Sequence, residues 1–199
     1  MKSNPNIHRN RSNRHKLFDY SNPGKYFITL NTQDSLKYLG VIENGIILLS
    51  KYGNIVKNEL LKIPEYHKRI VLDEWIIMPD HIHMIILLRE FDFDNGISFL
   101  GDGNEKFSLD DDLLGQFHEI DLKQFAPEQF RIYRRNMLIP KIMGKFKMLT
   151  SKQINIICNT PGQNNWQSDY YDHIIRNEQE CLRIKQYIIN NPKNYSCNG

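Results

Sequence analysis

The segment Met78-Pro79-Asp80-His81-Ile82-His83-Met84-Ile85-Ile86 holds the side chains best suited to chemistry. Successive side chains of a strand alternate between faces, so His81 and His83 project together while Ile82 and Met84 project to the other side. Two imidazoles on one face make half a metal site. They are borderline donors that suit Mn, Zn, Fe or Ni, and Mg only when oxygen groups complete the shell. By spacing alone, such a pair also fits ordinary hydrogen-bonded histidines. A second constellation adds weight to the metal reading: Tyr187 and Asn191 lie four residues apart and share one stripe of a helix, beside an apolar face of Cys181, Ile184 and Ile188. A tyrosine at such a border is commonly a core residue with its hydroxyl in water, but here the neighbour one turn on carries an amide oxygen that can ligate a cation. If the stripe faces the histidines, the donors are two imidazoles and one amide, with open positions and no carboxylate. A cation held so keeps nearly its full charge for polarising a phosphoryl oxygen. The adjacent phenol could then attack phosphorus and hold the product covalently.

The elements that must position these residues follow from periodicity. Lys25–Thr32 alternates aromatic and β-branched residues and reads as a strand. Gly40–Ser50 places Glu43-Asn44-Gly45 between two apolar runs, a hairpin signal. Tyr52–Ile63 has helical spacing and Pro64 ends it. Arg69–Met78 and His81–Leu88 read as two strands joined tightly, Pro140–Asn155 as a helix, Trp166–Ile175 as an aromatic-rich strand, and Glu178–Asn191 as a last helix ended by Pro192. This order predicts an α+β fold: a ferredoxin-like antiparallel sheet with its helices packed on one face. Asp80 falls off the histidine face by the same alternation, which leaves it without a catalytic role. Tyr170 and Tyr171 read as packing or base-stacking residues in their strand, and Tyr195 lies beyond Pro192.

With 199 residues, 40% apolar and 25% charged, the chain is long enough for one domain with a real core and too ordinary in composition for disorder. Residues 1–199 are read as a single domain with a basic N-terminal arm over 1–17 and an acidic insertion over 90–125. From Glu90 to Asp121 there are ten acidic residues and one lysine, a local −9 in a chain of formal net charge +3, which leaves +12 on the remainder. A basic body of this kind is the electrostatic footprint of a polyanion binder. The insertion has no sustained period and reads as a mobile loop that could cover the basic surface. Three cysteines without C-x-x-C spacing fit reduced thiols. The sequence has no apolar run long enough for a membrane span and a polar, basic start. The expected setting is the cytoplasm, with no membrane partner.

The motif MPDHIHMII resembles the His-hydrophobic-His motif of the HUH endonucleases, in the form used by single-tyrosine transposases of the IS200-like superfamily, and most closely the REP-associated tyrosine transposases. The resembling blocks are FDYSNPGKYFITLNT (Phe18–Thr32), YGNIVKNEL with LDEWIIMPDHIHMII (Tyr52–Ile86), IMGKFKMLTSKQIN (Ile142–Asn155) and the tail from Asn164 to Pro192. Separated blocks in the right order are far more specific than H-x-H alone. The resemblance implies a His pair on a central strand, a nucleophilic tyrosine on a helix, and cleavage of single-stranded DNA at structured, palindromic ends through a 5′-phosphotyrosine. Carried over by position, His81, His83 and Asn191 would hold Mg²⁺ or Mn²⁺, and Tyr187 would be the nucleophile. The expected partner is single-stranded or hairpin DNA, met by Arg9, Arg11 and Arg14 of the arm, Lys141, Lys145 and Lys152 on one helix side, and Arg176. The chain would act as a monomer or a homodimer, with Tyr187 serving its own histidines or a partner's. Two alternatives remain beside it. A histidine-triad-like hydrolase expects a third histidine two residues after His83, where Ile85 stands. A catalytically silent, domesticated DNA-binding module would use the same fold without cleavage.

Overall fold

The structure is a computed structural model that describes residues 19–90 and 136–195. The basic arm, Arg9, Arg11 and Arg14 with it, and the acidic insertion apart from Glu90 lie outside the described residues.

Strand β1 (Gly24–Asn31) opens the sheet. Its alternation is strict: Tyr26, Ile28 and Leu30 are fully buried on one face, which leaves Phe27 and Thr29 to the other. A two-stranded hairpin follows, β2 (Gly40–Glu43) and β3 (Ile46–Leu49). Asn44 and Gly45 form its turn with φ of 52° and 73°, the left-handed pair that matches strand twist in a two-residue connection. Helix α1 (Lys51–Leu61) is capped by Ser50, whose hydroxyl accepts from the amides of Tyr52 and Gly53. Gly53 is required here, because a Cβ would stand 2.0 Å from the Leu39 carbonyl oxygen. Pro64 does not simply stop this helix; it sits in the first turn of a short α2 (Ile63–Tyr66), where its missing N–H costs nothing.

Strands β4 (Ile70–Ile77) and β5 (His81–Leu88) then form an antiparallel pair. Helix α3 (Leu138–Cys158) buries Ile139, Ile142, Met143, Phe146, Thr150 and Ile154 along one stripe. Strand β6 (Tyr171–Ile175) is half the length expected. Only this part pairs with β1, while Trp166 makes one isolated bridge to Thr32 and turns its indole inward to donate to Thr150 Oγ1 at 2.9 Å. The sheet order is β4-β5-β1-β6. With the hairpin set aside, the succession strand, helix, strand, strand, helix, strand and this order are those of the ferredoxin-like plan. The α+β expectation therefore holds, and β5 is an interior strand.

Two features differ from expectation. Helices α1 and α3 cover one face of the sheet over the main core, but α4 (Glu178–Tyr195) lies on the other, where Cys181 and Ile188 pack against Phe27, Ile85 and Ile175. The alternating strands have apolar residues for both faces, so one helix layer could not bury them all. The last helix also runs through Pro192 to Tyr195. Proline fixes a φ close to the helical value and forfeits one backbone bond; Pro192 is itself buried, and a tertiary contact described below holds the extra turn. No helix among the described residues is long and apolar enough to cross a membrane.

Candidate active site

The face of the sheet beneath α4 carries the histidines. Antiparallel pairing sets Thr29 opposite His83 and Asn31 opposite His81, so the β1 side chains flank the pair on the same side. The His81 and His83 rings lie 4.5 Å apart between centroids. Each ring is held by its Nδ1. That of His83 meets Thr29 Oγ1 at 2.8 Å, and that of His81 meets Asp80 Oδ1 at 2.6 Å. An ionised carboxylate only accepts, so His81 donates from Nδ1, and Nε2 is the nitrogen left to meet a cation. Fixing the remote nitrogen in this way is the usual means of orienting a metal-binding imidazole. His83 is only 5% exposed. Burial, with the neighbouring His81 reinforcing it and Asp80 opposing, depresses its pKa to about 3, so the ring is neutral across the physiological range.

Helix α4 brings Tyr187 over this pair within the same chain. Its hydroxyl is 3.2 Å from His83 Nε2, and its ring stands edge-on to Phe27 at 6.2 Å. Tyr187 as a residue is 47% exposed, while its hydroxyl is held by this contact. Asn191, buried, lies one turn beyond Tyr187 on the same stripe. One turn further, Tyr195 donates to Asp80 Oδ2 at 2.8 Å. Asn191 is thus bracketed between a contact to His83 and a contact to the residue that holds His81. Burial, then the bond to Asp80, pushes the Tyr195 hydroxyl up to about 12.

The sequence reading missed three members of this site. Strand alternation sets Asp80 off the histidine face, but residues 79 and 80 bend before β5 begins, so the periodicity does not reach back to it. Its carboxylate joins His81 to Tyr195. Tyr195 escapes the sequence pattern because a proline ordinarily ends a helix, whereas α4 runs through Pro192. Thr29 carries no signal by itself and becomes visible only through the β1–β5 register.

The basic residues are dispersed. Lys141, Lys145 and Lys152 ride on α3, across the sheet from the histidines, and Lys145 sits over the Tyr66 ring at 4.5 Å. Arg176 is exposed just ahead of α4, its amide donating to Glu180 Oε2 at 2.8 Å. None of these four joins the histidine and tyrosine cluster.

No group of three or more His, Cys, Asp or Glu side chains placed to hold a metal occurs among the described residues. The donors that could hold a cation here are the two imidazole Nε2 atoms and the Asn191 amide oxygen. That set fits a Mn²⁺ or Mg²⁺ ion that takes further oxygen ligands from substrate and water.

Comparison with models of known protein families finds no match. An uncharacterised protein of Haemophilus influenzae is 32% identical over 191 residues, which cover 96% of this chain and 92% of that protein. The chain belongs to one family with it. Among solved structures, a REP-associated tyrosine transposase bound to a REP hairpin aligns with a TM-score of 0.47 at 16% identity, over 92% of this chain and 72% of that one. A protein of Deinococcus radiodurans R1 described as a candidate transposase aligns at 0.43 and 14% identity, over 85% of this chain and 91% of its own. Scores of this size carry no argument about chemistry, which rests on the side chains above.

Proposed function

We propose that the chain is a metal-dependent, single-tyrosine DNA nuclease and strand transferase of the IS200-like kind, acting on single-stranded DNA at structured palindromic ends. The observation that carries this reading is the approach of the hydroxyl of the half-exposed Tyr187 to 3.2 Å from His83 Nε2, beside the His81 imidazole, which is anchored through Nδ1 on Asp80. His81, His83 and Asn191 would hold Mg²⁺ or Mn²⁺, and the ion would supply Lewis-acid polarisation of a non-bridging phosphoryl oxygen.

The chain's own residues account for the remaining steps. Held beside the histidines by α4, the phenol would attack phosphorus in line. Tyr187 Oη bonds to phosphorus as the bond from phosphorus to the 3′ oxygen breaks, leaving a 5′-phosphotyrosine and a 3′-OH. An unperturbed phenol, with pKa about 10, is a weak nucleophile at neutral pH, so its proton must have an acceptor. His83 Nε2 has one lone pair and cannot accept that proton and bind an ion at once. The proton that the phenol loses is matched by the one that the departing 3′ oxygen takes up as it becomes a hydroxyl, so the step is balanced overall. The phosphotyrosyl ester conserves the bond energy, so another 3′-OH reverses the step and joins new ends without ATP.

The test uses a hairpin oligonucleotide with single-stranded flanks and a nick that traps the intermediate. With Mg²⁺ or Mn²⁺ the protein should form a denaturant-stable adduct, and chelator or Tyr187→Phe should abolish it. A Tyr187→Phe protein that still attaches to DNA overturns the assignment. Binding to the hairpin without cleavage by the unaltered protein would favour the silent DNA-binding module.

A further inference from the structure

Beside Tyr187, away from the histidines, lies an open cleft of about 290 Å³ lined by Phe27, Tyr171, His173, Glu180, Arg183, Ile184 and Tyr187. A larger cleft, of about 820 Å³, opens between α3 and the 159–168 loop, but neither histidine nor Tyr187 lines it. The smaller one shares a wall with the reacting phenol. Its size is at the lower end for small-ligand sites, with room for one nucleotide and none for a duplex.

The lining divides into a stacking floor and a cationic rim. Phe27, at the floor, meets Tyr187 edge-on at 6.2 Å and Tyr171 edge-on at 6.3 Å. Tyr171 is 42% exposed, on β6, which is the last strand of the sheet among the described residues. An exposed aromatic ring on a sheet edge gives a base a face to stack on. Arg183 lies one helical turn before Tyr187, on the same stripe of α4. It is exposed and has no ion pair among the described residues. Glu180, the one carboxylate of the cleft, is committed: Oε1 meets His173 Nε2 and Oε2 accepts from the Arg176 amide, both at 2.8 Å. The unengaged charge is therefore positive, one turn from the phenol that would attack phosphorus.

We propose that this cleft binds a nucleotide of the single-stranded substrate next to the scissile phosphate, its base stacked on the exposed Tyr171 ring and its phosphate on Arg183. The inference deepens the reading of Tyr187 as the reacting residue, but it concerns binding alone and is tested without cleavage. The cleft would set which base is tolerated beside the cut and keep the strand from sliding past Tyr187.

The measurement is fluorescence anisotropy in chelator, so that no turnover occurs, with oligothymidylate and an abasic polymer of equal length as probes. Tyr171→Ala should weaken oligothymidylate binding about tenfold and leave the abasic polymer unchanged, while Tyr171→Phe, which keeps the ring, should bind as the parent does. Arg183→Gln should weaken both probes and lower the salt dependence of log K by about 0.7, the loss of one phosphate contact on a single strand. Equal losses on both probes for Tyr171→Ala, or an unchanged salt slope for Arg183→Gln, would overturn the proposal. Failure of the nuclease reading shows elsewhere, as absence of the covalent adduct.

Discussion

The two faces of one sheet have been put to different use. Beneath α1 and α3, the side chains of β1 and β5 are Tyr26, Ile28, Leu30, Ile82, Met84 and Ile86, all fully buried in a continuous apolar core. Beneath α4, the alternate residues of the same strands are Phe27, Thr29, His81, His83 and Ile85, and only a small cluster of Phe27, Ile85, Ile175, Cys181 and Ile188 is buried there. The strict period of a strand lets one backbone carry a packed face and a histidine-bearing face, with no residue serving both. Rigidity from the first face holds the imidazoles of the second to fixed positions, which a site on a loop would not achieve.

Substitutions on the two faces should therefore separate stability from chemistry. The largest effect belongs to the packed face. Ile28→Ala should cost about 2–5 kcal/mol of unfolding free energy in urea titration, with adduct formation per folded molecule unchanged. A fall in adduct yield beyond the loss of folded protein would show that the faces are not independent. Next in size is Asp80→Ala, which removes the anchor of His81: Mn²⁺ binding, followed by the electron paramagnetic resonance of the free ion, should weaken about 10–100-fold. Asp80→Asn, which still offers an acceptor oxygen, should recover most of that loss, and equal affinity in all three proteins would end the case for Asp80 as a positioning residue. The smallest effect is expected of Tyr195→Phe, which deletes one hydroxyl and should cost about 1 kcal/mol. Hydrogen exchange should show it as faster opening of the final turn of α4, and unchanged protection there would mean that Pro192 is held by packing alone.

Much of the site was legible before any coordinates, for identifiable reasons. H-x-H on an apolar alternating run sets two imidazoles on one face whatever the fold, and Tyr187 and Asn191 share a stripe in any helix that spans them. The errors came where local rules meet tertiary context. Pro192 predicts a helix end at Asn191, yet a buried ring and the Tyr195 bond to Asp80 at 2.8 Å carry the helix four residues further. Trp166 to Tyr170 have strand-like composition, but only from Tyr171 onward does the chain pair with β1. Lys141, Lys145 and Lys152 share a helix side as their spacing requires, and that helix lies across the sheet from the histidines.

By itself the amino-acid order determined which side chains travel together, because strand and helix periods are properties of the local backbone. Which of those groups meet was decided by the fold alone. The side of the sheet that α4 covers, the register that puts Thr29 beside His83, and the bend that turns Asp80 toward His81 all depend on burying apolar surface contributed by segments more than a hundred residues apart in some cases, as with Tyr187 and His83. No local period encodes such a balance.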